Sequence, residues 1–208
     1  MLHTKAVEPG TFSLLKKLMT LPSLEQFTLV GGTALALRYG HRSSVDLDLF
    51  FHEKFDHQTI ESEFISEFGN DFDYESGHKQ FGIFCYLQKI KVDIVYFPHK
   101  PLSEFVTEKN IRMYSDADIS AMKIQAIFGR AKKKDFWDLH ELLQHYPLQQ
   151  LIDWHKQKYP SQMLAISIPN AITYFVDAEE SETPVSFKNQ SWEQIKKGIS
   201  KSVSDYLR

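Results

Sequence analysis

Two glycines and two aspartates in the first quarter of the chain do most to limit its fold. Phe27 to Val30 is a short apolar stretch that reads as a strand, and Gly31-Gly32 breaks it. Thr33 to Tyr39 then reads as a helix closed by Gly40, and after Ser43-Ser44 the alternating stretch Val45 to Phe51, with Val45-Asp46-Leu47-Asp48-Leu49-Phe50, reads as a second strand. Residues two apart in a strand share a face, so Asp46 and Asp48 point one way, while Val45, Leu47 and Leu49 are expected to pack on the other. Two adjacent carboxylates repel each other, and a divalent cation removes that cost. At the glycine pair, backbone N–H groups opening a helix can approach a phosphate closely, and Thr33 stands ready to cap the helix or touch the phosphate. A lone Asp-x-Asp is weak evidence, since most such pairs simply face water; the spaced combination carries the reading.

A third carboxylate is expected to complete a two-metal site. Asp93, in Lys91-Val92-Asp93-Ile94-Val95-Tyr96-Phe97, is the candidate, because an acid in an apolar strand is expensive without a partner. The bland alternative is an edge-strand aspartate paired with a lysine such as Lys91.

The rest of the first half reads as helix over 11–21 and 60–68 and strand over 72–75, 82–87 and 92–97, the last two strands joined by a tight turn around Gln88 to Lys91. From Asp116 onward the pattern predicts helices over about 117–130, 135–145, 148–158, 162–177 and 192–207, with Pro169 inside the fourth. Strands first and helices after imply an α+β fold, read as a core over 1–105 and a helical lobe over 106–208 that completes the site. In that lobe Lys123 and Arg130 lie on or beside an apolar helix face and need an anion. Asp135 and Asp138, on one side of the next helix, can supply it as a salt-bridge clasp, or a ligand phosphate can. Lys132 to Lys134 reads as a solvated charge run that could meet nucleic acid.

Composition narrows the class. The formal charge of the 208 residues is -3, so a whole-protein basic field for nucleic acid is absent and any polyanion site must be local. The single cysteine, Cys85, sits in an apolar run and reads as a buried thiol, and the nine histidines show no zinc-ligand spacing. With no apolar signal segment at the start and no stretch long enough to cross a bilayer, a cytoplasmic protein without membrane partners is expected.

At this point the chain resembles a family, the AbiEii/AbiGii-type nucleotidyltransferase toxins of the polymerase-β-like superfamily. The resemblance rests on Gly31 to Leu35, on Arg42-x-Ser44-x-Asp46-x-Asp48, and on the later pattern of Lys123, Ala126, Arg130, Lys134, Asp135, Asp138 and Leu139. It extends to the tail, through Tyr174 to Glu179 and Ser191 to Glu193. It implies a polymerase-β-like core with a mixed sheet. The site residues it implies are Asp46 and Asp48 on Mg²⁺ or Mn²⁺, with Gly31, Gly32 and Thr33 beside the triphosphate and Lys123 and Asp138 completing the site; Asp93 is the expected third metal ligand, and Arg42 and Ser43 are expected beside the nucleotide. Gly32 stands where many superfamily members have serine, leaving a phosphate hydroxyl to Thr33 or Ser43. The implied activity transfers a nucleoside monophosphate from a nucleoside triphosphate to a hydroxyl on an RNA end, tRNA-like, or on a protein, with a cognate antitoxin as partner. A fold that keeps nucleotide binding but not turnover, or an interaction module with an acidic cleft, are the competing expectations.

Overall fold

A computed structural model describes residues 1–74 and 81–208. Its seven strands form one mixed sheet in the order β3-β4-β5-β2-β1-β7-β6. These are β1 (Thr28–Leu29), β2 (Leu47–Phe51), β3 (Phe72–Tyr74), β4 (Gly82–Leu87), β5 (Ile90–Tyr96), β6 (Val106–Glu108) and β7 (Ile111–Met113). The pairs β2–β5 and β1–β7 run parallel, and the other neighbours run antiparallel. The centre of the sheet therefore holds both aspartate-bearing strands, and Asp48 lies directly opposite Asp93 in the β2–β5 register. Asp93 is thus not on an edge. The expected strand over 72–75 ends at Tyr74 within the described residues, and its last position, Glu75, lies outside them.

The hairpin between β4 and β5 turns on two residues, Gln88 and Lys89, both at positive φ (53° and 65°). That backbone twist matches the twist of the flanking strands. The β6–β7 hairpin repeats the device at Lys109 and Asn110. Sequence patterning misses this second hairpin, because its three-residue strands are too short to show alternation. The sheet consequently takes two strands from beyond residue 105.

Around the sheet lie α1 (Pro9–Leu18), α2 (Gly31–Tyr39) and α3 (His57–Phe68). The helical half comprises α4 (Asp116–Gly129), α5 (Lys133–Leu142), α6 (Leu148–Lys158), α7 (Ile168–Thr173) and α8 (Trp192–Tyr206). Their ends follow local chemistry. The Asp56 side chain caps α3, Ser115 caps α4, and Ser191 with Gln194 forms a capping box on α8. The expected long helix over 162–177 is corrected to the six residues of α7 and a short 3₁₀ turn at Val176–Ala178. Pro169 does not kink a long helix. It sits in the first turn of a short one, where its missing N–H costs nothing. One core joins the two halves: Leu47, Leu49, Ile94, Ile124, Phe136 and Trp137 are all fully buried within it. Cys85 is buried as expected, and no helix among the described residues is long and apolar enough to cross a membrane.

Candidate active site

The site begins with backbone geometry at the start of α2. Gly31 adopts φ +69°, a conformation that disfavours side chains, and a Cβ there would stand 2.8 Å from Asp48 Oδ2. The glycine thus brings the open N-terminus of α2, which has no side-chain cap, against the aspartate carboxylate. Gly32 is bare for a different reason. A Cβ on it would collide with the Arg42 guanidinium, which fills the space a serine side chain would occupy.

Asp48 is half-buried on β2, with Leu47 and Leu49 packed on the opposite face as expected. Val45 departs from that expectation. It precedes the strand and is 54% exposed, lining a groove with Val185 and Phe187. Burial pushes the Asp48 carboxyl up to about 6, and the like charges of Asp93 and Asp46 add to the shift. Asp93 Oδ2 accepts from Lys91 Nζ at 2.9 Å, while its buried Oδ1 has no hydrogen-bond partner. Asp46 Oδ2 accepts from Lys134 Nζ at 3.3 Å. Among the described residues no three Asp, Glu, His or Cys side chains are gathered closely enough to hold a metal ion as they stand. The donor chemistry nevertheless fits a hard divalent cation: three carboxylates bound one cleft, one is raised by burial and then by its neighbours, and one keeps an orphan oxygen.

That cleft has two ends. The polar end, a cavity of about 240 Å³, is bounded by Gly31, Gly32, Ser44 and the three aspartates together with six cationic side chains, Arg42, Lys91, Lys123, Arg130, Lys132 and Lys134. The apolar end, of about 490 Å³, lies between the sheet face at Phe50, Phe84 and Val95 and the α4 residues Met122 and Ala126. Gly31, Asp48, Asp93, Lys123 and Arg130 border both.

Beneath the polar end lies a closed charge network. Asp138 Oδ1 accepts from Arg42 Nε at 2.7 Å and contacts His41 Nε2 at 2.8 Å; its Oδ2 accepts from Arg42 Nη2 at 2.7 Å and lies 2.7 Å from Lys123 Nζ. Asp135 takes Lys123 Nζ at 3.0 Å and a two-pronged Arg130. Both carboxylates are wholly buried. Burial alone would raise them, but the cations outweigh it: Arg42 and Lys123 hold Asp138 well below the usual carboxylate range, and Lys123 and Arg130 lower Asp135. Lys123, itself buried, is correspondingly raised by the two aspartates against the opposite pull of burial.

Of the residues singled out in sequence, the cleft brings together Gly31, Gly32, Arg42, Asp46, Asp48, Asp93 and Lys123. Three lie elsewhere. Thr33 is buried, its hydroxyl bonded to the Asp46 carbonyl and to Ser44 Oγ. Ser43 lines the neighbouring groove with Val45. Asp138 is sealed beneath the cleft by its three cationic or imidazole partners. Ser44 and Lys91 are wall residues that sequence reasoning overlooked as ligands, while Lys132 and Lys134 come from the charge run. Ser44 lies two residues before Asp46, and Lys91 two before Asp93, so the same-face rule would have found both.

Residues 13–205 match the family described as the nucleotidyl transferase AbiEii toxins of a type IV toxin–antitoxin system. The chain belongs to the AbiEii family. An uncharacterised protein of Aquifex aeolicus (strain VF5) is 35% identical over 200 residues, spanning 93% of this chain and 94% of that one. Among solved structures, JHP933 of Helicobacter pylori is similar with a TM-score of 0.58 at 20% identity, over 95% of this chain and 92% of that one. MenT4, a nucleotidyltransferase toxin of Mycobacterium tuberculosis H37Rv, gives 0.56 at 14% identity over 95% and 86%. At those identities the structural likeness establishes the nucleotidyltransferase fold; the AbiEii assignment comes from the sequence match.

Proposed function

We propose that this AbiEii-family protein is a metal-dependent nucleotidyltransferase, moving a nucleoside monophosphate from a nucleoside triphosphate to a hydroxyl acceptor and releasing pyrophosphate. The observation that carries the reading is the juxtaposition at the cleft: Asp48 opposite Asp93, the glycine start of α2 against Asp48, and a wall of six cations. Asp46, Asp48 and Asp93 would hold Mg²⁺ or Mn²⁺, which when bound neutralises charge on the attacking and leaving oxygens.

The chain's own groups do the rest. The triphosphate lies along the cationic end, met by α2 N–H groups and by Lys123, Arg130, Lys132 and Lys134. Ser44, not Thr33 or Ser43, offers the hydroxyl at that end. The nucleobase enters the apolar end, past Phe50 and Val95. Asp93, with Oδ1 unengaged, faces the acceptor hydroxyl and orients it for attack. Asp138 acts from behind the wall: held by Arg42, it fixes Lys123 in place. The acceptor is an RNA end, tRNA-like, or a protein hydroxyl, in a cytoplasmic setting, and the family's toxin–antitoxin description supports a cognate antitoxin.

The test is incubation with each α-labelled nucleoside triphosphate, total RNA and Mg²⁺. Label should pass to the acceptor with pyrophosphate release. The double variant Asp46→Ala with Asp48→Ala should lose both transfer and metal-dependent nucleotide binding; equal metal-dependent binding by that variant sinks the assignment.

A further inference from the structure

The apolar end of the cleft carries one uncharged polar side chain among the described residues that line it, Gln125 of α4. Gln125 is not free to rotate. Its Oε1 lies 3.1 Å from Nε2 of His155, a residue on α6 that is 2% exposed. Burial pushes His155 down to about 4, so the ring is neutral at physiological pH and carries one N–H. With Oε1 turned towards the ring, as the structure places it, a neutral His155 serves the pair as its Nε2–H tautomer, so Nε2 donates and the Gln125 carbonyl accepts. The amide group left for the cavity is the NH₂, a donor without acceptor capacity.

We propose that Gln125, oriented by His155, determines which nucleobase the cleft accepts: it favours bases that bring a carbonyl oxygen, uracil, cytosine or guanine, over adenine. This rests on the reading of the apolar end as the nucleobase site. An adenine presenting its exocyclic amine to the Gln125 NH₂ places donor against donor, and a buried donor left without an acceptor is the costly case. A carbonyl oxygen at the same place completes the bond. His155 touches no substrate and acts as a positioning residue, since without it the amide can turn over and offer either group.

The experiment is equilibrium titration of the four nucleoside triphosphates with Mg²⁺ into the intact protein, which needs no acceptor and no turnover. The wild type should bind ATP about tenfold more weakly than the best of the other three, the order of a mispaired hydrogen bond. Gln125→Leu should compress that ratio towards one. Gln125→Glu, which offers acceptors only, should reverse it in favour of ATP. His155→Phe should narrow the ratio while leaving the affinity for the best nucleotide within a few-fold, a split that general loosening of the α4–α6 packing would not produce. Binding of all four nucleotides with equal affinity, a wild-type preference for ATP, or an unchanged ranking in both Gln125 variants overturns the inference while leaving the nucleotidyltransferase reading standing. No nucleotide binding by the wild type overturns both.

Discussion

Two groups of aspartates, one fully buried and one partly exposed, lie within one cleft region, and they are built on opposite electrostatic plans. In the lower group Asp135 and Asp138 are outnumbered by Arg42, Lys123 and Arg130, with His41 as a fourth partner, and both carboxyls are lowered. In the upper group Asp46, Asp48 and Asp93 share two lysines at the cleft wall, Asp48 is raised to about 6, and Asp93 keeps an unpartnered oxygen. Saturated carboxylates hold a structure together, whereas under-neutralised ones hold a place for a cation. The contrast separates residues that a sequence pattern groups together, since Asp138 and Asp48 belong to the same family signature yet only Asp48 reaches the cleft.

The sharpest way to break the contrast is to remove the hub of the lower group. Asp138→Ala strands Arg42 and Lys123 without their main counter-ion, so stability should fall by about 3–5 kcal/mol, the range for breaking a buried pair. For a chain of this size that means a thermal midpoint lower by roughly 10 °C. A melt that does not move, combined with lost transfer, would return Asp138 to the chemistry.

The corresponding change in the upper group should spare the fold. Asp93→Asn keeps the shape and removes a charge that repels Asp48. Transfer should drop by roughly 10²-fold or more while nucleotide affinity changes only a few-fold, because an interaction made mainly in the transition state appears in turnover. Wild-type transfer rates in single-turnover assays would make Asp93 an ordinary strand residue paired with Lys91.

The pH dependence of the two groups should carry opposite signs. Asp138 and Asp135, lowered in the folded state, contribute stability that is present above the unfolded carboxylate value and is lost as pH falls through their folded values. Asp48 is raised, so the folded chain holds its proton more tightly than the unfolded one, and stability is lost as pH rises from about 4 to about 6. Asp48→Asn should therefore raise the melting temperature at pH 7–8 and change little at pH 4. A variant that is destabilised at neutral pH contradicts the raised carboxyl.

Much of this contrast was legible in the sequence, and what was not has physical reasons. The period of two pointed Asp46 and Asp48 the same way, and both border the cleft although Asp46 stands one residue before β2; the apolar context of Asp93 singled it out, and it lies opposite Asp48. The same period would have yielded Ser44 and Lys91. Arg42 was read as a phosphate ligand because it sits beside the motif, but its direction depends on the missing side chain at Gly32 and on Asp138, 96 residues away. The stretch 162–177 has enough apolar residues to suggest one helix, but only 168–173 is α-helical, capped by Ser167 and with Pro169 in its first turn. The pairing of Lys134 with Asp46 spans 88 residues, and no local pattern reports it.

That pairing supports the last and smallest prediction. Lys134 Nζ and Asp46 Oδ2 are 3.3 Å apart, and both side chains are more than a third exposed. Such a pair in water contributes about 0–1 kcal/mol, since solvent screens it and two side chains must be ordered to make it. Lys134→Ala should therefore leave the melting temperature nearly unchanged, unlike any change in the lower group. If Lys134 only neutralises Asp46, its removal should leave nucleotide affinity unchanged or raise the affinity for Mg²⁺, because a competitor for the carboxylate is gone. If it exchanges Asp46 for a phosphate oxygen when nucleotide enters, affinity for a triphosphate should fall several-fold, and affinity for the monophosphate should fall less. Titration of the variant with tri- and monophosphates of one nucleoside at fixed Mg²⁺ separates the two. Equal weakening for both would show that Lys134 does not reach the β- and γ-phosphates, and would leave that end of the cleft to Arg130, Lys132 and Lys123.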